Sequence, residues 1–222
     1  MASLFYDLHA PAFSRTRFRI WPHVAKFLDS LPPASRVLDI GCGNGKNMTY
    51  GQEHGLQMMG LEQSPSLCDI CLVKGLDIIE GDARTLPFED NTFDAIIMIA
   101  VIHHLDPAEH IKVLSEISRV LKPQGRALIT NWAVEQPTAQ KTSTPRTFAP
   151  GLNMVLWKGK EAAPLPYWIM DKAIADEFIK NLPPPLKALD LTWSAGNWEF
   201  WIQKRGQQFL ITSESQDAHP AV

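Results

Sequence analysis

The sequence predicts an α/β protein built on a mostly parallel sheet with helices on both faces, and three observations carry that reading. Between Val37 and Ala133 apolar runs alternate with helical stretches, the pattern of parallel strands joined by crossover helices. The run FDAIIMIAV is almost unbroken, as a central strand covered on both faces requires. Near the C-terminus, LKALDLTWS and NWEFWIQKR flank Ala195-Gly196, which reads as an antiparallel hairpin.

Taken in order, SRVLDIG is the first strand, with apolar Val37, Leu38 and Ile40, and the stretch from Lys46 to about His54 is the helix behind it. LQMMGLEQS is the second strand and SPSLCDICLVKG the second helix, with Pro65 in its first turn, where a missing N–H costs nothing. DIIEGDA is the third strand and FDAIIMIAV the fourth. In DPAEHIKVLSEISRVLKPQG, Ile111, Leu114, Ile117, Val120 and Leu121 recur at helical spacing until Pro123 and Gly125 stop the helix, and RALITNWA is the fifth strand. The proline-rich stretch 134–166 reads as a long loop or insertion near the active site, since loops of that length usually serve as lids or binding segments. IMDKAIADEFIKNL resumes helical spacing through Met170, Ile174, Phe178 and Leu182 before the hairpin. One domain over 1–205 and a flexible tail over 206–222 are expected.

Charge and composition exclude several functions. A net charge of −3 gives no general attraction to a polyanion, so nucleic-acid binding needs a local basic patch. Nowhere do about 18 apolar residues run together, so no membrane span is expected. Three cysteines do not make a disulfide framework, and a cytoplasmic location is expected. Cys68 and Cys71 form C-x-x-C with no second pair, which leaves a zinc site half built and points to two packed thiols and no metal.

Gly41, Gly43 and Gly45 stand where the first strand turns into the first helix, in VLDIGCGNGK. Glycine allows positive backbone dihedrals and close approach of a ligand to the main chain. The G-x-G-x-G spacing departs from the dinucleotide fingerprint, whose third glycine follows three residues after the second. Asp39, just ahead of the glycines, opposes a pyrophosphate and suits an ammonium. Glu62 ends the second strand, where a carboxylate accepts both ribose hydroxyls, and Asp82 ends the third, within reach of an adenine amino group. Three acids at the carboxyl ends of three successive strands ask for an ammonium, a ribose and an aminopurine in one ligand. S-adenosyl-L-methionine has all three.

With these motifs in hand, VLDIGCGNGK, GDARTLPF, FDAIIMIAVIHHL and LKPQG together resemble the class I S-adenosylmethionine-dependent methyltransferases over residues 35–133. That resemblance implies a Rossmann-like sheet of seven strands, ending in an antiparallel hairpin, and a cofactor site containing Asp39, Gly41, Gly43, Gly45, Lys46, Glu62, Gln63, Asp82, Ala83 and Ala100. FSRTRFRIWP, the paired histidines of AVIHHL, NWAVEQ and Asn197-Trp198 narrow the match to the wobble-uridine tRNA carboxymethyl methyltransferases, including the domain attached to AlkB-type oxygenases, over 5–136 and thinly over 186–203. The family's TRY is Thr16-Arg17-Phe18 here, Glu62 stands where Asp is usual, and Tyr167–Asp171 matches the family poorly.

The family's reaction esterifies the carboxylate of 5-carboxymethyluridine in tRNA. A carboxylate with a pKa of about 4 is ionised at neutral pH, so orientation is the task and no general base is required. Arg17 matches the family's arginine and is the expected catalytic clamp, with Arg15 and Trp132 beside it as substrate-binding residues; a hold on the cofactor's own carboxylate is the other role open to Arg17. His103 and His104 follow the fourth strand and are expected either to touch the substrate or to cap their loop. Arg15, Arg17, Arg19, His23 and Lys26 suit either a tRNA footprint or a solvated helix face. The resemblance also implies, for eukaryotic and archaeal members, a small zinc-binding activator subunit. A small-molecule methyltransferase and an inactive cofactor-binding regulatory subunit are the alternative functions.

Overall fold

The computed structural model describes residues 2–137, 147–156 and 164–206. Two helices, α1 (Ala2–Thr16) and α2 (Pro22–Asp29), precede β1 (Arg36–Ile40). The α/β alternation follows: α3 (Lys46–Glu53), β2 (Gln57–Glu62), α4 (Pro65–Val73), β3 (Ile78–Glu80) and β4 (Phe93–Ile99). A short 3-10 turn (Ile102–His104), α5 (Pro107–Val120), β5 (Leu121–Trp132), β6 (Gly151–Val155), β7 (Leu165–Ile169), α6 (Lys172–Lys180), β8 (Leu186–Ser194) and β9 (Asn197–Lys204) complete the described elements.

The main sheet has seven strands in the order β3-β2-β1-β4-β5-β9-β8, parallel up to β5 and antiparallel from β5 to β9 and β8. Successive residues of the central strands feed opposite faces, as the period of two demands. Leu38, Ile96, Met98 and Ile129 pack under α5 and α6, whereas Val37, Ala95, Ile97 and Leu128 pack with Val24, Phe27 and Leu28 of α2 and Met48 of α3. That two-sided burial explains the unbroken apolar run of β4. Where the order reverses beside β1, the strand ends open a crevice, the usual ligand position in such sheets.

Local signals set the helix ends. Ser64 caps α4 by accepting from the Leu67 amide, Pro65 follows, and Asp106 and Glu109 form a reciprocal capping box on α5. The expected stop at Pro123 and Gly125 is corrected: α5 already ends at Val120, and Leu121 pairs with Phe93 before a register shift carries the chain to the Ala95–Arg126 pairing. The LKPQG stretch is therefore an irregularity at the start of β5, with Gln124 at φ 67°. Ala195 and Gly196, at φ 48° and 83°, turn the β8–β9 hairpin as expected.

Two departures bear on function. The insertion 134–166 is no plain loop: β6 and β7 pair antiparallel, and Ala133 bridges to Met170, which ties them to the end of β5. The N-terminus is the long helix α1, whose Phe5 packs with Val155, Leu165, Tyr167 and Ile169 of that strand pair. The expected tail falls, from residue 207 on, outside the described residues. No described helix is long and apolar enough to cross a membrane.

Candidate functional site

A cavity of about 460 Å³ lies over the carboxyl ends of β1, β2, β3 and β4. Of the residues the sequence singled out, it brings together Arg17, Gly41, Gly43, Lys46, Glu62, Gln63, Asp82, Ala83, Ala100, His103, His104 and Trp132 along its walls. Asp39, Gly45 and Arg15 are not on the wall, and each has a physical reason. Asp39 is buried in β1 one layer below the loop. A Cβ on Gly45 would sit 2.2 Å from Leu76 Cδ1 and 3.0 Å from Cys71 Sγ, so this glycine lets the start of α3 pack against α4 and the turn after it. Arg15 is exposed on the last turn of α1.

The glycine loop is left-handed at all three positions, φ 68°, 59° and 72° at Gly41, Gly43 and Gly45. Only Gly43 meets the roof of the site, where its absent Cβ leaves room for the Phe13 ring of α1, and a Cβ on Gly41 would strike Val101. The loop is pinned from below by Glu62, which accepts the Gly43 amide on one oxygen at 2.9 Å and the Gln63 and Ser64 amides on the other at 2.9 and 3.0 Å. The acid read from sequence as a ribose acceptor is thus also the brace of the loop, and burial raises its pKa against those three bonds.

Asp39 is only partly satisfied. Its Oδ2 accepts a long 3.4 Å bond from Asn47, while Oδ1 and the Asn47 Oδ1 are both buried with no hydrogen-bond partner. Burial lifts its pKa to about 7, opposed by Asn47 and by the Lys46 charge, and burial lowers that of Lys46. Two orphaned acceptors side by side are what a multiply donating cation satisfies. Asp82 is more fully engaged: the Arg84 guanidinium grips both its oxygens and reaches on to Glu109 of α5, and this contact holds its pKa below the usual range.

At the other end, the Tyr6 hydroxyl lies 3.0 Å from His104 Nε2, and the Tyr167 ring packs 4.4 Å from His103 and 4.9 Å from Trp132, centroid to centroid. Burial pushes the His104 pKa down to about 4 and that of His103 well below its ordinary value, so both rings are neutral at pH 7. The Arg17 guanidinium stands 4.5 Å over the Phe13 ring on the cavity wall. Asn197 and Trp198 do not reach the cavity; Trp198 is buried and donates to the Met170 carbonyl. Cys42, Cys68 and Cys71 are buried free thiols.

Sequence reasoning missed Tyr6, Phe13, Trp21, Arg84, Glu109 and Tyr167, all of which line the cavity. For Tyr6 and Phe13 a signal existed, since residues seven apart share a helix face, but Pro11 between them obscured the helix. Tyr167 had none, because its place depends on how the insertion folds back.

The comparisons with known proteins bear on this geometry. Residues 38–129 match the family model described as a methyltransferase domain. That stretch of the chain is similar to a methyltransferase domain. Over 132 residues, 59% of this chain and 32% of the relative, the chain is 47% identical to a tRNA (carboxymethyluridine(34)-5-O)-methyltransferase of Arabidopsis thaliana. The enzyme of the same name from Saccharomyces cerevisiae is 31% identical over 182 residues, 81% of this chain and 60% of the relative. The chain therefore spans less than two thirds of the length of these relatives. A chain from the complex between the Haloferax volcanii Trm112 methyltransferase activator and a methyltransferase shares the fold at a TM-score of 0.69 and 16% identity, over 94% of this chain and 99% of that one. Around the domain, the seven-stranded order and the C-terminal hairpin agree with the class I methyltransferase fold expected from sequence.

Proposed function

We propose that the chain uses S-adenosyl-L-methionine to esterify the carboxylate of 5-carboxymethyluridine at the wobble position of tRNA. The observation that carries the reading is one continuous cavity, with the glycine loop and the β2 and β3 acids at one end and Arg17 among neutral aromatic and imidazole rings at the other. The relatives' names support it.

The residues present fit the cofactor. Asn47, on the cavity wall with the buried Asp39 carboxylate behind it, offers an unpaired acceptor and a negative charge toward its ammonium, Glu62 and Gln63 face its ribose, and Asp82, Ala83 and Ala100 form the wall toward its adenine. Bound there, S-adenosylmethionine supplies an electrophilic methyl carbon on a sulfonium and is released as S-adenosylhomocysteine. The acceptor carboxylate, already ionised, would need no proton removed to accept that methyl group, so the task left to this chain's residues would be orientation. Arg17 orients the carboxylate, a task suited to a planar fork of donors. His103 and His104, neutral at the working pH, act as shape and dipole, not as a base. A small zinc-binding activator subunit is the protein partner we propose, and the Haloferax volcanii complex, in which a methyltransferase is paired with a methyltransferase activator, supports a partner of the activator class.

A second reading has its own support. The roof formed by α1 and the ring wall of Tyr6, Trp132 and Tyr167 also suits a small free carboxylic acid. Mass spectrometry of tRNA nucleosides from cells lacking the gene decides between the two: the wobble-uridine reading requires loss of the methyl ester and accumulation of the free acid. Unchanged nucleosides leave the small-acid reading.

A further inference from the structure

We infer that the link between α1 and α2, centred on Phe18, is a stacking platform for the single-stranded RNA beside the target nucleotide; the inference rests on the tRNA reading above. Phe18 is 71% exposed, a large ring left in water at the rim of the cavity, directly after Arg17, which lines it. The Arg19 guanidinium lies 5.6 Å from the Phe18 ring centroid. Two residues further on, Trp21 lines the same cavity with the Lys46 ammonium 5.2 Å over its ring. Cation and aromatic ring alternate along the rim, the combination that binds unpaired nucleotides without reading sequence.

Charge sharpens the choice of occupant. The whole chain is net −3, yet residues 8–28 carry Arg15, Arg17, Arg19 and Lys26 and no carboxylate. An anionic strand is therefore attracted to this rim against the net charge of the molecule, with phosphates beside the arginines and a base against the ring. The rim is also held still, since Asn44 of the glycine loop donates to the Arg17 carbonyl at 2.9 Å, so the stacking surface keeps a fixed relation to the site of methyl transfer. A base stacked on Phe18 is the neighbour of one entering the cavity past Arg17.

The test uses a fluorescently labelled anticodon stem-loop RNA containing 5-carboxymethyluridine, with binding read by anisotropy for the wild type and for Phe18→Ala, Phe18→Leu and Phe18→Tyr. Cofactor affinity and thermal midpoint are measured alongside. Loss of one stacked base predicts roughly tenfold weaker binding for the alanine and leucine variants, restoration by tyrosine, and unchanged cofactor affinity and midpoint. Wild-type-like RNA binding by Phe18→Ala, in a protein whose wild type methylates the stem-loop, overturns the platform and leaves the proposed function standing. Full rescue by leucine also overturns it, because an apolar contact, as to a protein partner, then accounts for the ring. A wild type that neither binds nor methylates the stem-loop removes the tRNA reading itself, and the platform with it.

Discussion

The two ends of the cavity are built in different ways. The cofactor end is made by the ends of β1, β2 and β3 and the turn behind β1, each fixed by the ladder of the sheet. The acceptor end is assembled from distant pieces: Tyr6, Phe13 and Arg17 from α1 and the link after it, His103 and His104 from the turn after β4, Trp132 from the end of β5 and Tyr167 from β7. One end is local in sequence and rigid, and the other depends on how α1 and the insertion dock. A site of this kind keeps a common cofactor while the acceptor changes with the attached segments.

The largest effect that separates the two ends is expected at Arg17. Its replacement by alanine removes one partner of a charge-assisted pair with the acceptor, for a loss of about 3 kcal/mol in transition-state stabilisation, roughly a hundredfold in kcat/KM, with cofactor affinity nearly unchanged. Calorimetry with S-adenosylmethionine alongside turnover tells the ends apart. Weakened cofactor binding moves Arg17 to the cofactor end and breaks the comparison.

Gly45 tests whether the glycine loop is a scaffold as well as a ligand surface. Gly45→Ala places a Cβ against Leu76 Cδ1 and Cys71 Sγ at φ 72°, and should cost about 2 kcal/mol of stability by urea unfolding. Gly43→Ala meets only the edge of the Phe13 ring and should cost less stability while weakening cofactor binding more. Equal effects on both quantities at both positions would erase the distinction.

The smallest effect is a pH dependence confined to the cofactor end. Asp39, raised to about 7 by burial, holds more protons folded than unfolded between its ordinary value and 7, so it lowers stability as pH rises through that window. An ammonium ligand reverses the preference and expels the proton. Cofactor affinity should therefore fall below pH 7 by up to about tenfold per unit, with proton release on binding, and Asp39→Asn should abolish both the slope and the release. Calorimetry in buffers of different ionisation enthalpy counts the protons, and a pH-independent affinity in the wild type contradicts the assignment.

What the sequence revealed follows the same division. The strands along the chain, the glycine turn and the three acids were legible because each is a local pattern: Asp39, Glu62 and Asp82 each lie within two residues of a strand end that periodicity locates. Their hydrogen bonding was not legible, for Glu62 spends its oxygens on three loop amides and Asp82 on Arg84, and those contacts exist only once the turns close. At the acceptor end Arg17 and the histidine pair stood out through the resemblance to a family. Tyr167 did not, since the pairing of β6 with β7 rests on contacts with Phe5, about 160 positions away in the sequence.

The central claim, that one cavity joins a methyl donor to a carboxylate on tRNA, is tested most directly by incubating the purified chain, alone and with an activator subunit, with methyl-labelled S-adenosylmethionine and two anticodon stem-loops that differ only at the wobble base. The account predicts label on the 5-carboxymethyluridine RNA, lost on mild alkaline hydrolysis as an ester must be, and none on the uridine RNA. Label on both RNAs, or label that resists alkali, would contradict it.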